Sequence, residues 1–263
     1  MEKKGINLGC GIKWKNDLKR NIKNYQGLEY WDGLDQHLGN AYFSPEYFFP
    51  YNNESIDWFF SSHFFEHIDE NTAKQLVKES YRSLKKGGIM RTIVPDFELL
   101  HRKYLEKDYN FFDRSISIGK VYHCWSKYGI DPTYENMVLN WFSTFHFCEK
   151  GDGKVTFRGP PILGEPKDYG YKLLNTMSTQ EVCDILHKKV FDLKEKYPKE
   201  VVTQHISFWN YEKLEEIMLS AGFSQVYISG FEESKESSMR TPLFDVWEKI
   251  GEKPMNLYVE AVK

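Results

Sequence analysis

Six residues near the amino terminus constrain this chain most: Ile6-Asn7-Leu8-Gly9-Cys10-Gly11, an apolar stretch of strand type that runs straight into a Gly-x-Gly turn. A turn at the carboxyl end of a parallel strand lets a ligand come close to the backbone, and glycine lacks the Cβ that would block the approach or forbid the dihedrals. The segment therefore points to an open α/β sheet carrying a nucleotide-type cofactor. A dinucleotide fingerprint would place a third glycine three positions after Gly11, where Trp14 stands, and this argues against a nicotinamide cofactor.

The first hundred residues support a β/α succession. Strand candidates are 5–9, 28–32, 56–61 and 88–94, with a helix predicted over 70–86. Ala73, Leu76, Val77, Ser80, Tyr81 and Leu84 recur there at three- and four-residue steps, Asp69 stands ready to cap, and Lys85-Lys86-Gly87-Gly88 closes the pattern. Residues from about 97 to 205 lose this rhythm and are rich in Tyr, Trp, His and Gly, which reads as an insertion of mixed helices and loops. The rhythm returns with a helix at 211–221, closed by Gly222, and strands at 224–230 and 256–262 that pair antiparallel. The expected fold is α/β: a doubly wound, Rossmann-like, seven-stranded, mostly parallel sheet with a large cap inserted after strand five. Its core is 1–97 and 206–263, and the cap is 98–205.

Composition narrows the partners. Across 263 residues, 35 basic and 38 acidic side chains leave a net charge of -3 with no block of like charge, so nucleic acid is not an expected partner. Cys10, Cys124, Cys148 and Cys183 show neither a C-x-x-C pair nor a neighbouring ligand set, which suits reduced thiols. The chain enters its first strand at once, without room for a signal peptide, and no apolar run approaches the ~18 to 20 residues that cross a bilayer. A soluble, cytoplasmic protein with no membrane partner is expected.

Several segments together resemble the class I S-adenosylmethionine-dependent methyltransferases. Asn7-Leu8-Gly9-Cys10-Gly11 matches that family's first motif. The stretch from Pro50 to Ile68, with Ser55-Ile56-Asp57 and Ser61-Ser62-His63-Phe64-Phe65-Glu66-His67-Ile68, is similar to its fourth strand and following turn. Glu79-Ser80-Tyr81-Arg82-Ser83-Leu84-Lys85-Lys86-Gly87-Gly88 resembles its step into strand five, with Lys86 in place of a usual proline, and Val94-Pro95-Asp96 matches a subgroup ending. His205, Leu214, Ala221-Gly222-Phe223 and Leu257-Tyr258-Val259-Glu260-Ala261 are similar to the carboxyl end of a type 11-like subgroup associated with bacterial surface-polysaccharide gene clusters.

The resemblance implies S-adenosylmethionine as cofactor, with Gly9, Cys10 and Gly11 beneath its methionine part. Trp31-Asp32-Gly33-Leu34-Asp35 overlays the family's second-strand ending, which gives Asp35 the ribose hydroxyls, with Asp32 as the alternative. Gly39-Asn40-Ala41 falls where adenine is contacted, and the Asn40 amide oxygen could accept from the adenine amino group. Ser61, Ser62 and His63 face the methionine end, and His63 also has a structural reading as a turn residue. Glu66 and His67 read as an internal structural pair.

For transfer to a hydroxyl, His205 and His63 are the candidate bases, while an anionic acceptor would need only positive groups to position it. His123, His146, Arg158, Tyr169 and Arg240 are candidate acceptor contacts. Arg158 stands before the stiff Gly159-Pro160-Pro161. No metal is expected, because His123, His146 and His205 lack ligand spacing. The expected reaction is O-methylation of a small polar or nucleotide-linked acceptor, a sugar hydroxyl or a phosphate- or phosphoramidate-type oxygen, in capsule or lipopolysaccharide biosynthesis. The competing classes are an NAD(P)-dependent dehydrogenase or epimerase, and a non-catalytic cofactor-binding module that regulates a partner transferase.

Overall fold

The structure is a computed structural model that describes residues 3–11, 30–116, 125–147, 157–196, 202–203, 205–240 and 255–263. The chain divides into two compact units, Met1–Pro95 with Trp209–Lys263, and Asp96–Phe208.

The first unit is built on one sheet. Its strands are β1 (Gly5–Leu8), β2 (Trp31–Leu34), β3 (Ile56–Ser62), β4 (Leu84–Pro95), β8 (Gln225–Ser229) and β9 (Asn256–Val262), in the order β2-β1-β3-β4-β9-β8. The first four run parallel, and β9 lies antiparallel between β4 and β8. Parallel strands covered on both faces read as continuous apolar runs, as Trp58-Phe59-Phe60 does. Phe59 points with Ile6, Leu8 and Met90 toward helix α1 (Glu70–Ser83) and the later helix at Tyr211–Ala221, while Trp58 and Phe60 join Trp31, Ile93, Met239 and Tyr258 on the opposite face.

Six strands form the sheet among the described residues. The connection 35–55, where another strand would fall, is a short 3-10 turn at Gln36–Leu38 and irregular chain broken by Pro45 and Pro50, which cannot donate to a ladder. Helix α1 stops at Ser83 rather than 86, because fully buried Leu84 already pairs with Ile56 as the first residue of β4. The second strand runs Trp31–Leu34, and positions 28 and 29 of its expected span lie outside the described residues. Asp69 caps α1 as expected, accepting from the amides of Asn71 and Thr72.

The second unit contains α2 (Phe97–Leu105), α3 (Tyr109–Ile116), α4 (Tyr134–Phe142), α5 (Tyr169–Thr176) and α6 (Thr179–Lys196), together with a small antiparallel sheet not foreseen in the sequence. That sheet is β6 (Phe157–Gly159), β5 (Phe145–Phe147) and β7 (Val202–Thr203), in that order. Buried His101 on α2 ties the helices together, its Nε2 lying 2.7 Å from the Leu174 carbonyl oxygen and its Nδ1 2.9 Å from Thr179 Oγ1. The helix at Tyr211–Ala221, α7, returns the chain to the first unit and ends on left-handed Gly222. No helix among the described residues is long and apolar enough to cross a membrane.

Candidate functional site

Strand register brings the glycine turn, the acidic turn and the serine-histidine turn to one edge. Leu8 is level with Leu34 on one side and Ser61 on the other, so Gly9, Asp35 and Ser62 leave three neighbouring strands side by side. In parallel sheets this carboxyl edge is where ligands gather.

Gly9 (φ 65°) donates its amide to the Leu34 carbonyl at 2.8 Å, and a Cβ there would stand 2.2 Å from the Phe64 ring. Among the described residues, nothing lies within 4 Å of where a Cβ on Gly11 (φ 69°) would be. The first glycine is therefore required by the protein's own packing, whereas the second keeps a space open. Half-buried Cys10 lies between them, and neither Cys10 nor Cys183 forms a disulfide among the described residues; Cys124 and Cys148 lie outside them.

Asp35 is only 5% exposed and spends one lone pair of each oxygen on the backbone. Oδ2 accepts from the Gly11 amide at 2.8 Å and Oδ1 from the His37 amide at 2.7 Å. Asn40 braces the same turn: its Oδ1 accepts from the Asp35 amide at 3.0 Å and its Nδ2 donates to the Gly33 carbonyl at 2.8 Å. Its amide oxygen is thus already engaged within the turn. Ala41 is buried against the apolar cluster. Asp32, the alternative acid, is solvent-facing and lies 3.4 Å from Lys4 Nζ.

Ser61 is fully buried, with its hydroxyl on Thr92 Oγ1 at 3.3 Å, while Ser62 is half-buried. His63 takes a left-handed φ of 49°, unusual for a residue with a Cβ, and its amide is held by the Ile93 carbonyl at 3.0 Å. Its Nδ1 lies 3.2 Å from Glu66 Oε1, nearer than His67 Nε2 at 3.8 Å, so buried Glu66 is shared between two histidines rather than paired with His67 alone. Burial lowers the proton affinity of His67; the Glu66 charge works against this and His63 adds to it. The Trp209 indole fixes the turn by donating to the Phe65 carbonyl at 3.0 Å. Phe64 and Trp209 were missed in the sequence, where an aromatic after a strand looks like any core residue.

Residues 7–92, which include all three turns, match the methyltransferase domain family. The match spans fewer than half of the 263 residues, and within that span the chain is similar to a methyltransferase domain. No curated protein matches the chain. Among solved structures, it is similar to an S-adenosylmethionine-dependent methyltransferase from Archaeoglobus fulgidus, at 13% identity over 99% of this chain and 86% of that one, with a TM-score of 0.40. It is also similar to one from Mesorhizobium loti, at 12% identity over 99% and 90%, with a TM-score of 0.40. The space beside Gly11 and the anchored Asp35 carboxylate suit the methyltransferase cofactor, which needs a close backbone for its amino acid part and an acceptor for its ribose hydroxyls.

The second unit holds most of the remaining candidates. His205 is half-buried; its Nδ1 lies 2.8 Å from the Trp141 carbonyl oxygen and its ring packs at 5.5 Å on Phe97. A carbonyl can only accept, so Nδ1 carries the proton and the lone pair sits on Nε2. His146 and Arg158 are register partners on β5 and β6. Burial, and then the Arg158 charge, hold His146 below the usual imidazole range. Half-buried Tyr169 opens α5, with the Lys189 ammonium 5.0 Å from its ring centre. His123 lies outside the described residues. Arg240 belongs instead to the first unit, beside the β8 edge of the sheet, where its Nε donates to the Ser234 carbonyl and it lines a cavity of about 490 Å³ with Tyr227, Lys235 and Glu260. The sheet order puts β8 at the opposite end from β2, away from the glycine turn.

Proposed function

We propose that this methyltransferase modifies an oxygen of a small polar or nucleotide-linked acceptor, a sugar hydroxyl or a phosphate- or phosphoramidate-type oxygen, in the cytoplasmic biosynthesis of bacterial capsule or lipopolysaccharide. The donor half of this reading is carried by one observation: the Gly11 amide on the Asp35 carboxylate, which locks the two cofactor turns together. The acceptor half draws on the resemblance of His205, Ala221-Gly222-Phe223 and Leu257–Ala261 to the surface-polysaccharide subgroup. In this reading residues 98–205 form the acceptor cap on a core of 1–97 and 206–263.

When bound, S-adenosylmethionine supplies a methyl group on a sulfonium, ready for in-line displacement. Gly9, Cys10, Gly11, Asp35, Asn40, Ala41, Ser61, Ser62 and His63 would hold it. The protein's own work is alignment and exclusion of water. For a hydroxyl acceptor, His205 takes the proton on Nε2, since the Trp141 carbonyl fixes the other ring nitrogen as N–H. His63 at the strand edge is the second candidate base, and an already ionised oxygen needs neither. His123, His146, Arg158 and Tyr169 are proposed acceptor contacts, with Arg240 the outlying member.

Calorimetric titration with S-adenosylmethionine, S-adenosylhomocysteine and NAD, followed by labelled-methyl transfer to a panel of sugars, sugar phosphates and nucleotide sugars, tests this function. Binding of the first two ligands and labelling of an oxygen are expected. Stabilisation by NAD alone, or labelling only of amines, would overturn the proposal.

A further inference from the structure

The second unit contains a pairing that the sequence presented as two separate residues. His146 and Arg158 face each other across the antiparallel ladder of β5 and β6, so their side chains emerge on the same face, with Cβ atoms about 5 Å apart in such pairs. The other face carries Phe145 and Phe157, both fully buried, which fixes the alternation and sends His146 and Arg158 the opposite way.

The arginine rests on a stiff base. The Trp125 indole donates to the Arg158 carbonyl at 2.6 Å, and a Cβ on Gly159 would stand 2.5 Å from that same indole nitrogen. Buried Pro160 and Pro161 follow, with φ fixed by their rings. The backbone beneath the guanidinium therefore has little freedom, while the side chain itself is exposed. Beside it, the His146 Nδ1 is buried and has no hydrogen-bond partner among the described residues. A neutral imidazole next to a permanent cation is poorly served by its surroundings. A ligand oxygen bearing negative charge gives His146 a partner, since it accepts from a ring N–H, and it matches the planar guanidinium fork of Arg158.

We propose that His146 and Arg158 form one oxyanion-binding site, which takes a phosphate or carboxylate group carried by the acceptor. This rests on the reading of the second unit as the acceptor-binding part, and it narrows the substrate to molecules that bear such a group in addition to the oxygen that is methylated. Neutral sugars are excluded as full substrates.

The test uses the whole protein, with inorganic phosphate, acetate and a neutral methyl glycoside as probes, and imidazole NMR resonances assigned through His146→Gln. Phosphate or acetate should give a saturable shift at His146, and whichever does so identifies the group; the glycoside should not. Arg158→Gln should weaken that binding at least tenfold and Arg158→Lys partly. Arg102→Gln, which removes the same charge at an exposed position of α2, should leave it unchanged. S-adenosylhomocysteine affinity serves as the control for folding and for the donor site, and is expected to be unaltered in every variant. No saturable shift with either anion, or equal weakening by Arg102→Gln, overturns the site. Failure of the unmodified protein to bind S-adenosylhomocysteine would instead strike at the methyl-transfer reading, whatever phosphate does.

Discussion

The Gly11 amide donates to Oδ2 of Asp35 across 2.8 Å, so the turn after β1 and the end of β2 are joined by a side chain as well as by the sheet ladder. Asp35→Ala breaks that join and removes the proposed ribose acceptor together. S-adenosylhomocysteine affinity should fall by about 1.5–3 kcal/mol, the scale of hydrogen bonds to a charged group. Asp32→Ala, on a solvent-facing acid, is the control. If calorimetry finds Asp35→Ala unchanged and Asp32→Ala impaired, the ribose belongs to Asp32.

The two glycines of the turn should fail differently. Gly9→Ala meets both the left-handed penalty, about 1–2 kcal/mol, and the Phe64 ring, so it should lower the urea midpoint of unfolding. Gly11→Ala meets only the first and leaves the protein folded, but its methyl projects into the ligand space. Cofactor binding should be lost with most stability retained, a contrast visible by comparing denaturation with calorimetry.

Arg91 and Glu260 are both fully buried and lie 2.8 Å apart, with the guanidinium also donating to Ser229 Oγ and to the carbonyls of Gly230 and Glu233. Removing one partner strands a buried charge. Glu260→Gln should therefore cost about 3–5 kcal/mol, and the double replacement Arg91→Met, Glu260→Leu should recover a large part of it. Equal loss in the single and double variants would show that the carbonyl contacts, not the charge pair, carry the effect.

For Asp69, burial pushes the carboxyl up, but hydrogen bonds from the Thr72 hydroxyl and the Thr72 and Asn71 amides outweigh it and hold the group below its ordinary value. A depressed carboxyl contributes stability that is full above its unfolded value, near 4, and is lost as pH falls through the folded one. Asp69→Ala should cost about 1 kcal/mol at pH 7 and progressively less as the pH falls below about 4. A difference that persists undiminished into acid would mean that the cap does not act through the ionised carboxylate.

Replacing His205 by Ala should reduce methyl transfer to a hydroxyl acceptor by about 10²–10⁴-fold, the usual worth of a positioned base, with S-adenosylhomocysteine affinity unchanged. Full activity in that variant would remove it from the mechanism.

The first unit was legible wherever a signal was local. Asp69 and the spacing of Leu76, Val77 and Leu84 announced α1, and Gly222 announced the end of α7. The Lys85–Gly88 run misled because a basic turn followed by glycine looks the same in a helix ending as at the start of a strand; only the pairing of Leu84 with Ile56 separates them. The second unit was opaque for a different reason. Its order comes from side chains that reach distant backbone, His101 to Leu174 and His205 to Trp141, and its strands are two or three residues long, too short for any period to register. Candidate residues were recognisable one at a time by chemistry. That His146 and Arg158 share a face required the register, and that Asn40 braces Asp35 required the turn.

Strand β9 enters the sheet between β4 and β8, and the Arg91–Glu260 contact across that seam joins residues 169 apart. Closing so long a loop is entropically slow, and β8 has no partner in the sheet until it happens. A nascent or refolding chain therefore passes through a stage in which β4, buried from Ile89 to Pro95 in the finished molecule, presents a bare edge. Such an edge recruits strands from other chains, so the yield of native enzyme should hinge on how quickly the far end of the sequence arrives.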